Sequence, residues 1–116
     1  MSTKKPLEGY KVVDFSAVFA GPICSRYLLD CGADVIKVET PVVGDLTRGV
    51  DGISRVFSHF NAGKRSIAVN LKSEAGQTLV KRLISDADIV IENFRPGIMA
   101  KFGLDYESLK KENPKL

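Results

Sequence analysis

Short runs of β-branched residues alternate with segments of helical periodicity along this chain, and this alternation constrains the fold more than any other feature. The apolar runs lie at 11–15, 34–38, 66–70 and 88–91. Runs of this length bounded by glycine, asparagine or aspartate are typical of buried strands. Because a helical segment separates each run from the next, the pattern predicts βαβ units, and therefore an α/β fold with a mostly parallel sheet and flanking helices.

Capping residues predict where the helices begin and end. Pro22 suits the first turn of a helix that ends at Gly32, and its apolar stripe consists of Ile23, Tyr27, Leu28 and Cys31. Ser73 is expected to cap a helix whose apolar face consists of Ala75, Leu79, Val80, Leu83 and Ile84. Asp105 is expected to cap a last helix that runs to about Glu112. Residues 54–60 fit one or two helical turns, whereas the preceding loop is too rich in glycine to be regular, with Pro41, Gly44, Gly49 and Gly52.

Composition excludes several classes of protein. The 116 residues fit one domain, 44% are hydrophobic, and the net charge of +3 is scattered along the chain. A nucleic-acid binder would more often carry a basic stripe with interleaved aromatic residues, and no apolar run approaches the ~18 residues of a membrane span. Cys24 and Cys31 form no CxxC pair, so we expect no metal site and interpret them as reduced thiols on one face of a buried helix. This usage suits a cytoplasmic protein.

A dinucleotide-binding site is the first alternative to weigh at the carboxyl ends of such strands. Glu39 follows the second strand, where an acid would hold ribose hydroxyls. That site also needs a GxGxxG turn after the first strand. The only glycine in residues 16–22 is Gly21, and the side chains of Val18 and Phe19 would crowd a pyrophosphate. The sequence therefore does not predict NAD binding, and it lacks the Walker phosphate-binding pattern as well.

Seven segments in order point to one family. They are Leu7-Glu8-Gly9, Ala20-Gly21-Pro22, residues 29–39, Gly44-Asp45 with Thr47-Arg48, residues 61–66, Asn70-Leu71-Lys72, and Glu92-Asn93-Phe94-Arg95-Pro96-Gly97. Together they resemble the CaiB/BaiF family, the family III CoA-transferases. Members bind acyl-CoA in an N-terminal Rossmann-like domain, are several times longer, and form interlocked homodimers. The resemblance therefore implies that residues 1–116 are a fragment of that CoA-binding domain.

The chemistry implied by the resemblance is transfer of CoA between an acyl-CoA and a small carboxylic acid through an aspartyl intermediate. Coenzyme A is then a substrate, and no tightly bound cofactor is expected. The nucleophile lies beyond this region, because none of the eight aspartates matches its motif, namely Asp14, Asp30, Asp34, Asp45, Asp51, Asp86, Asp88 and Asp105. Two alternatives stay open: an α-methylacyl-CoA racemase-like enzyme and a non-catalytic CoA-binding fragment. A chain that ends at Leu116 is expected to leave a sheet edge open and to be marginally stable or self-associating.

The resemblance also implies a set of coenzyme A-binding residues, each located at the end of a predicted strand or after it. They are Val18, Phe19, Thr40, Val69, Leu71, Lys72, Asn93, Phe94, Ile98 and Lys101. The residue types fit the ligand, since lysines beside helix starts suit phosphates and Val69 with Leu71 could form an apolar slot for adenine. The alternative is that the lysines are surface cations and Phe94 is core. His59 is interpreted as structural, and Lys64 and Arg65 as turn charges.

Overall fold

The computed structural model describes residues 3–49 and 54–116. Gly52 and Asp51, which the sequence interpretation mentions, lie outside the described residues. The elements in chain order are β1 (Lys11–Asp14), α1 (Ala20–Asp30), β2 (Asp34–Glu39), a 3₁₀ turn (Leu46–Arg48), α2 (Arg55–Asn61), β3 (Arg65–Ala68), α3 (Glu74–Ile84), β4 (Ile89–Ile91), α4 (Ile98–Lys101) and α5 (Tyr106–Glu112). The strands pair in parallel in the order β3-β2-β1-β4. The predicted α/β fold with a parallel sheet is confirmed.

The two faces of the sheet are covered by different helices. Side chains alternate along a strand, so Val12 and Val13 of β1 enter separate cores. Val13 lies in the larger core, which α3, α4 and α5 complete with Val80, Met99 and Leu109 among others. Val12 lies in the smaller core on the opposite face, beside partly buried leucines of α1. Each fully buried aliphatic side chain contributes roughly 1.5–3 kcal/mol, so the larger core supplies most of the apolar stabilisation.

Capping predictions are confirmed, whereas the two predicted apolar stripes are each wrong in part. The side chains of Ser73 and Asp105 cap α3 and α5 as expected. In α1 the buried residues are Gly21, Pro22 and Ser25, while Cys24 and Cys31 are both exposed and Tyr27 is 68% exposed. The reason is steric: a Cβ on Gly21 would lie 2.0 Å from the Ser16 Cβ, so the helix approaches the sheet through its small residues. In α3, likewise, Ala75 and Leu79 are exposed while Gly76, Val80 and Ile84 are buried.

The glycine-rich loop is more regular than its composition indicates. Asp45 accepts a hydrogen bond from the amide of Thr47 and caps the 3₁₀ turn Leu46–Arg48. The expectation of a wholly irregular segment is therefore wrong for residues 46–48, because a short side-chain acceptor offers the backbone a local turn. Within residues 3–49 and 54–116, no helix has the length and apolar character needed to cross a membrane.

Candidate functional site

The predicted coenzyme A-binding residues lie in the connections that follow the four strands. Since all four strands are parallel, their carboxyl ends meet at one edge of the sheet. The chain runs from β1 outward to β3 and then returns to the other side of β1 to form β4. The order of the strands therefore reverses between β1 and β4, and ligands of open α/β sheets bind in the crevice at such a point.

Asn93 joins the two sides of that crevice. Its Oδ1 accepts a hydrogen bond from the Ala17 amide at 3.0 Å, and its Nδ2 donates to the Ala17 carbonyl at 2.8 Å. The side-chain amide thus holds the loop after β1 against the turn after β4. The structure thereby assigns Asn93 to the frame of the crevice, and its predicted contact with the ligand stays a prediction.

A small cavity opens at this edge, and every strand end contributes to it. Its volume is about 60 Å³, and its walls include Ser16, Thr40, Leu71 and Phe94. The structure therefore brings together three of the predicted residues, namely Thr40, Leu71 and Phe94. Val69 is 4% exposed and belongs to the larger core, and it is not among the residues that line the cavity.

The loop after β1 presents Phe19 outward. Phe19 is 52% exposed, and its ring meets that of Phe60 edge to face at 5.8 Å between centroids. Val18, the residue before it, has a φ of 71°, which is rare for a β-branched side chain. Such a conformation costs of order 1–3 kcal/mol and persists only where the surroundings impose it. The loop is therefore held in an unusual shape at the crevice.

Two predicted cations are exposed in the segments that follow β3 and β4. Lys72 is exposed in the turn that leads into α3, and its amide donates to Asn70 Oδ1 at 3.0 Å. Lys101 is exposed at the end of α4, while Ile98 at the start of that helix is half-buried. A lysine carries its charge on a long flexible stem, a residue type that suits contact with phosphates.

A buried ion pair below the edge was missed by the sequence interpretation. Lys64 Nζ lies 3.1 Å from Asp14 Oδ2, and the two side chains are 1% and 0% exposed. The same ammonium donates to the carbonyl of Pro22 and to Oδ1 of Asn61. Burial lowers the pKa of Lys64, and the charge of Asp14 opposes that shift. The interpretation of Lys64 as a turn charge is therefore wrong, whereas Arg65 is exposed and pairs with Asp34.

A second buried pair lies beside the first. Lys37 Nζ lies 2.9 Å from Asp45 Oδ2, and these side chains are 1% and 0% exposed. Burial raises the pKa of Asp45, but hydrogen bonds from Thr47 and the pairing with Lys37 lower that pKa by more, so it falls below its usual value. The sequence carried a signal for this pair, because a lysine within an apolar central strand is almost never fully buried without a partner.

Glu39 cannot act as the ribose-binding acid of a dinucleotide site, because its carboxylate is already occupied. Oε2 accepts from the Asp45 amide and Arg48 Nε, and Oε1 accepts from Arg48 Nη2 and Ser66 Oγ, over 2.6–2.9 Å. Burial raises the pKa of Glu39, but these donors lower it from 4.5 to about 2. The guanidinium of Arg48 also lies 3.8 Å from the ring centroid of Phe57. These contacts support the sequence argument against NAD binding.

Larger grooves lie elsewhere on the described residues, and two of them have volumes of about 500 Å³ or more. One of about 620 Å³ lies between α1 and α2, where Tyr27 and His59 are among its lining residues. The other, of about 500 Å³, lies beside β4 and α5. Neither is lined by any of the predicted residues. We favour the edge cavity despite its size, since it lies at the reversal of strand order. His59 itself is exposed on α2, and no cluster of metal-ligating side chains occurs within the described ranges.

Fold and site together define a Rossmann-like α/β unit with a ligand crevice at the carboxyl edge of its sheet. Short-chain dehydrogenase/reductase from Serratia marcescens shares this fold at 18% identity and a TM-score of 0.51, over 95% of this chain and 51% of that one. The sequence model of CoA-transferase family III matches residues 7–116. The chain belongs to that family.

Named relatives agree with the family assignment. Succinate–glutarate CoA-transferase from Agrobacterium fabrum is 49% identical over 97% of this chain and 31% of its own length. Formyl-CoA:oxalate CoA-transferase from Escherichia coli is 43% identical over 100% of this chain and 29% of its own length. A CaiB/BaiF family protein from Brucella suis has a crystal structure that matches with a TM-score of 0.91 and 48% identity, over 98% of this chain and 32% of that one. The chain therefore spans about a third of the length of these relatives.

Proposed function

We propose that this chain supplies part of the coenzyme A-binding domain of an enzyme that transfers CoA between an acyl-CoA and a carboxylic acid. The observation that carries the proposal is the crevice at the reversal of strand order, with Thr40, Leu71 and Phe94 around its cavity, in a member of CoA-transferase family III. The curated relatives compared above are named as transferases, which favours transfer over the racemase chemistry left open by the sequence.

The size of the cavity limits how the ligand binds. Pockets that enclose a small molecule usually measure about 300–1,000 Å³, whereas this cavity measures about 60 Å³. Coenzyme A would therefore lie along the edge of the sheet with only part of one group inserted beside Leu71 and Phe94. In this arrangement its phosphates lie in solvent-facing positions, where Lys72 and Lys101 reach them as mobile cations.

The chain's own contribution to the reaction is binding and orientation. An aspartate carboxylate from outside this chain attacks the thioester carbonyl, giving a mixed anhydride and CoA thiolate. The thiolate then attacks the aspartyl carbonyl and releases the first acid, leaving an aspartyl-CoA thioester that an incoming carboxylate resolves by the reverse route. Asp14 and Asp45 lie near the crevice, but both are buried in ion pairs and are not accessible nucleophiles.

The names of the relatives support a small carboxylic acid as the second substrate. Their names give succinate, glutarate, formyl-CoA and oxalate, and we propose a small carboxylic acid for this protein too. The homodimer and the cytoplasmic location implied by the resemblance and the composition stay predictions.

Isothermal titration calorimetry with free coenzyme A tests the proposal. We expect saturable binding to the wild-type chain, and Lys72→Ala and Lys101→Ala to weaken it about tenfold each, because a charge-assisted hydrogen bond contributes about 1.5–3 kcal/mol. Both losses should shrink as salt is raised to 0.5 M, since screening weakens exposed ion pairs.

Lys11→Ala is the matched control, because Lys11 is an exposed lysine at the amino end of β1, opposite the crevice. Its affinity should equal that of the wild type. Absence of binding by a wild-type chain with a folded circular dichroism spectrum contradicts the proposal. Equal affinities of the three lysine variants for coenzyme A would show that Lys72 and Lys101 are surface charges that do not contact the ligand.

A further inference from the structure

The second buried ion pair reaches directly into the loop that borders the crevice. Lys37 Nζ donates to the Ser16 carbonyl at 2.7 Å while pairing with Asp45. Asp45 in turn accepts a hydrogen bond from the Val18 amide, at 3.2 Å to the nearer oxygen. One lysine and one aspartate therefore hold both ends of the three-residue segment Ser16–Val18.

The middle residue of that segment is held from the opposite side. The Asn93 amide binds both the N–H and the carbonyl of Ala17. Polar groups from β2, from the loop after it and from the turn after β4 thus act on three consecutive residues. This concentration of contacts explains how Val18 keeps a φ of 71°, a region that the described chain otherwise occupies almost entirely with glycine.

A role in stability alone does not account for this arrangement. Two charges taken from water are often replaceable by apolar or neutral side chains of similar volume without loss of stability. What such a replacement removes is a specific geometry. Here that geometry is the shape of the loop that ends in the exposed Phe19 and leads into α1.

We propose that Lys37 and Asp45 are positioning residues, which hold Ser16–Val18 in the conformation that binds coenzyme A. The inference rests on the proposed function and deepens it, since it names what shapes the crevice before the ligand arrives. A loop fixed in its bound shape loses less conformational entropy on binding. Without the pair, Val18 relaxes to an ordinary conformation and the ligand must impose the bound shape.

The test is a double substitution, Lys37→Met with Asp45→Asn, which removes both charges while keeping side-chain volume. Asp45→Asn alone would leave a lysine buried without a counter-charge, so it is not used. Titration with free coenzyme A should show at least tenfold weaker affinity for the double variant. Hydrogen exchange at the Ala17 and Val18 amides, measured without ligand, should be at least tenfold faster while the free energy of unfolding stays close to the wild-type value.

A second variant keeps the inference testable if the double variant does not fold. Thr47→Val is isosteric and removes only the hydroxyl that donates to Asp45 Oδ1 at 2.7 Å. We expect two- to fivefold weaker affinity and faster exchange at Val18. Asn113→Ala is the control for general destabilisation, because Asn113 binds carbonyls between α3 and β4, far along the chain from the loop, and it should leave the affinity unchanged.

The outcomes separate this inference from the proposed function. If the wild type binds coenzyme A and the folded variants bind it equally well, the positioning role is wrong and the proposed function stands. If Asn113→Ala weakens binding as much as the others, the effect is general destabilisation and the positioning role is again wrong. If the wild type itself does not bind, the proposed function fails and this inference fails with it.

Discussion

Substituting glutamine for Glu39 tests how the segment after β2 is held to the sheet. Glutamine has nearly the same volume, but it replaces one carboxylate oxygen with an NH₂ group that faces donors. The carboxylate of Glu39 accepts from Arg48, from Ser66 and from the Asp45 amide. The substitution therefore removes the ion pair and at least one hydrogen bond while leaving the packing intact.

The expected loss of stability in Glu39→Gln follows from the pKa of Glu39. The pKa of Glu39 falls from 4.5 to about 2 in the folded protein, which at about 1.4 kcal/mol per pKa unit corresponds to about 3.4 kcal/mol. The Arg48 side chain is 34% exposed, and solvent screens its share, so we expect about 2 kcal/mol at neutral pH. Because the folded pKa is lowered, this stabilisation is complete above about pH 4.5 and is lost as the pH falls toward about 2.

Urea unfolding between pH 7 and pH 3, followed by circular dichroism, measures the effect. The free energy of unfolding of the wild type should exceed that of Glu39→Gln by about 2 kcal/mol at pH 7, and this difference should decrease steadily below pH 4.5. Glu107→Gln is the control, since Glu107 is 71% exposed in its pair with Lys110, and it should match the wild type throughout. A difference between wild type and Glu39→Gln that stays constant from pH 7 to pH 3 would refute this reasoning.

Two further substitutions probe close packing and buried polar groups. Gly76→Ala should lower the free energy of unfolding by about 1–3 kcal/mol, because a Cβ would lie 2.1 Å from the Asn70 carbonyl oxygen. Thermal unfolding measures this against the control Thr78→Ala, on the exposed part of the same helix. Equal melting temperatures for the two variants would contradict the prediction. Asn113→Ala should lower the free energy of unfolding by about 2 kcal/mol, since it removes the Asn113 donor from the Ala87 carbonyl and one of two donors from the Ile84 carbonyl, which also accepts from the Ala87 amide. An unchanged urea midpoint would contradict this.

The sequence predicted the strands and the helix caps, but it missed the 3₁₀ turn Leu46–Arg48 and was less reliable for which face of each helix is buried. Ser73 and Asp105 were correctly predicted as caps because capping depends on residues two or three apart in the sequence. The buried face of α1 was wrongly predicted because apolar periodicity ranks Tyr27 above Gly21. In the structure the closest approach needs the smallest residue, and Gly21 meets Ser16 there.

The sequence likewise predicts some features of the candidate site and not others. Its location could be predicted, because parallel strands bring their carboxyl ends to one edge whatever their order. The roles of individual side chains could not be predicted in full. Asn93 was expected to contact the ligand, and the structure shows its amide engaged with Ala17. Such contacts depend on which strands are neighbours, and β1 lies between β2 and β4.

The sequence by itself determined the α/β class, the order of the elements and the family, since each follows from local periodicity or from motifs in a fixed order. Only the tertiary structure decided that Asp14 pairs with Lys64 and Lys37 with Asp45. Asp14 and Lys64 are 50 residues apart and meet only after the strands have paired, whereas Lys37 and Asp45 meet when the loop after β2 folds back against that strand. The physical reason is that a buried charge requires a partner within about 4 Å in space, and the spacing of charges along the chain does not specify that distance.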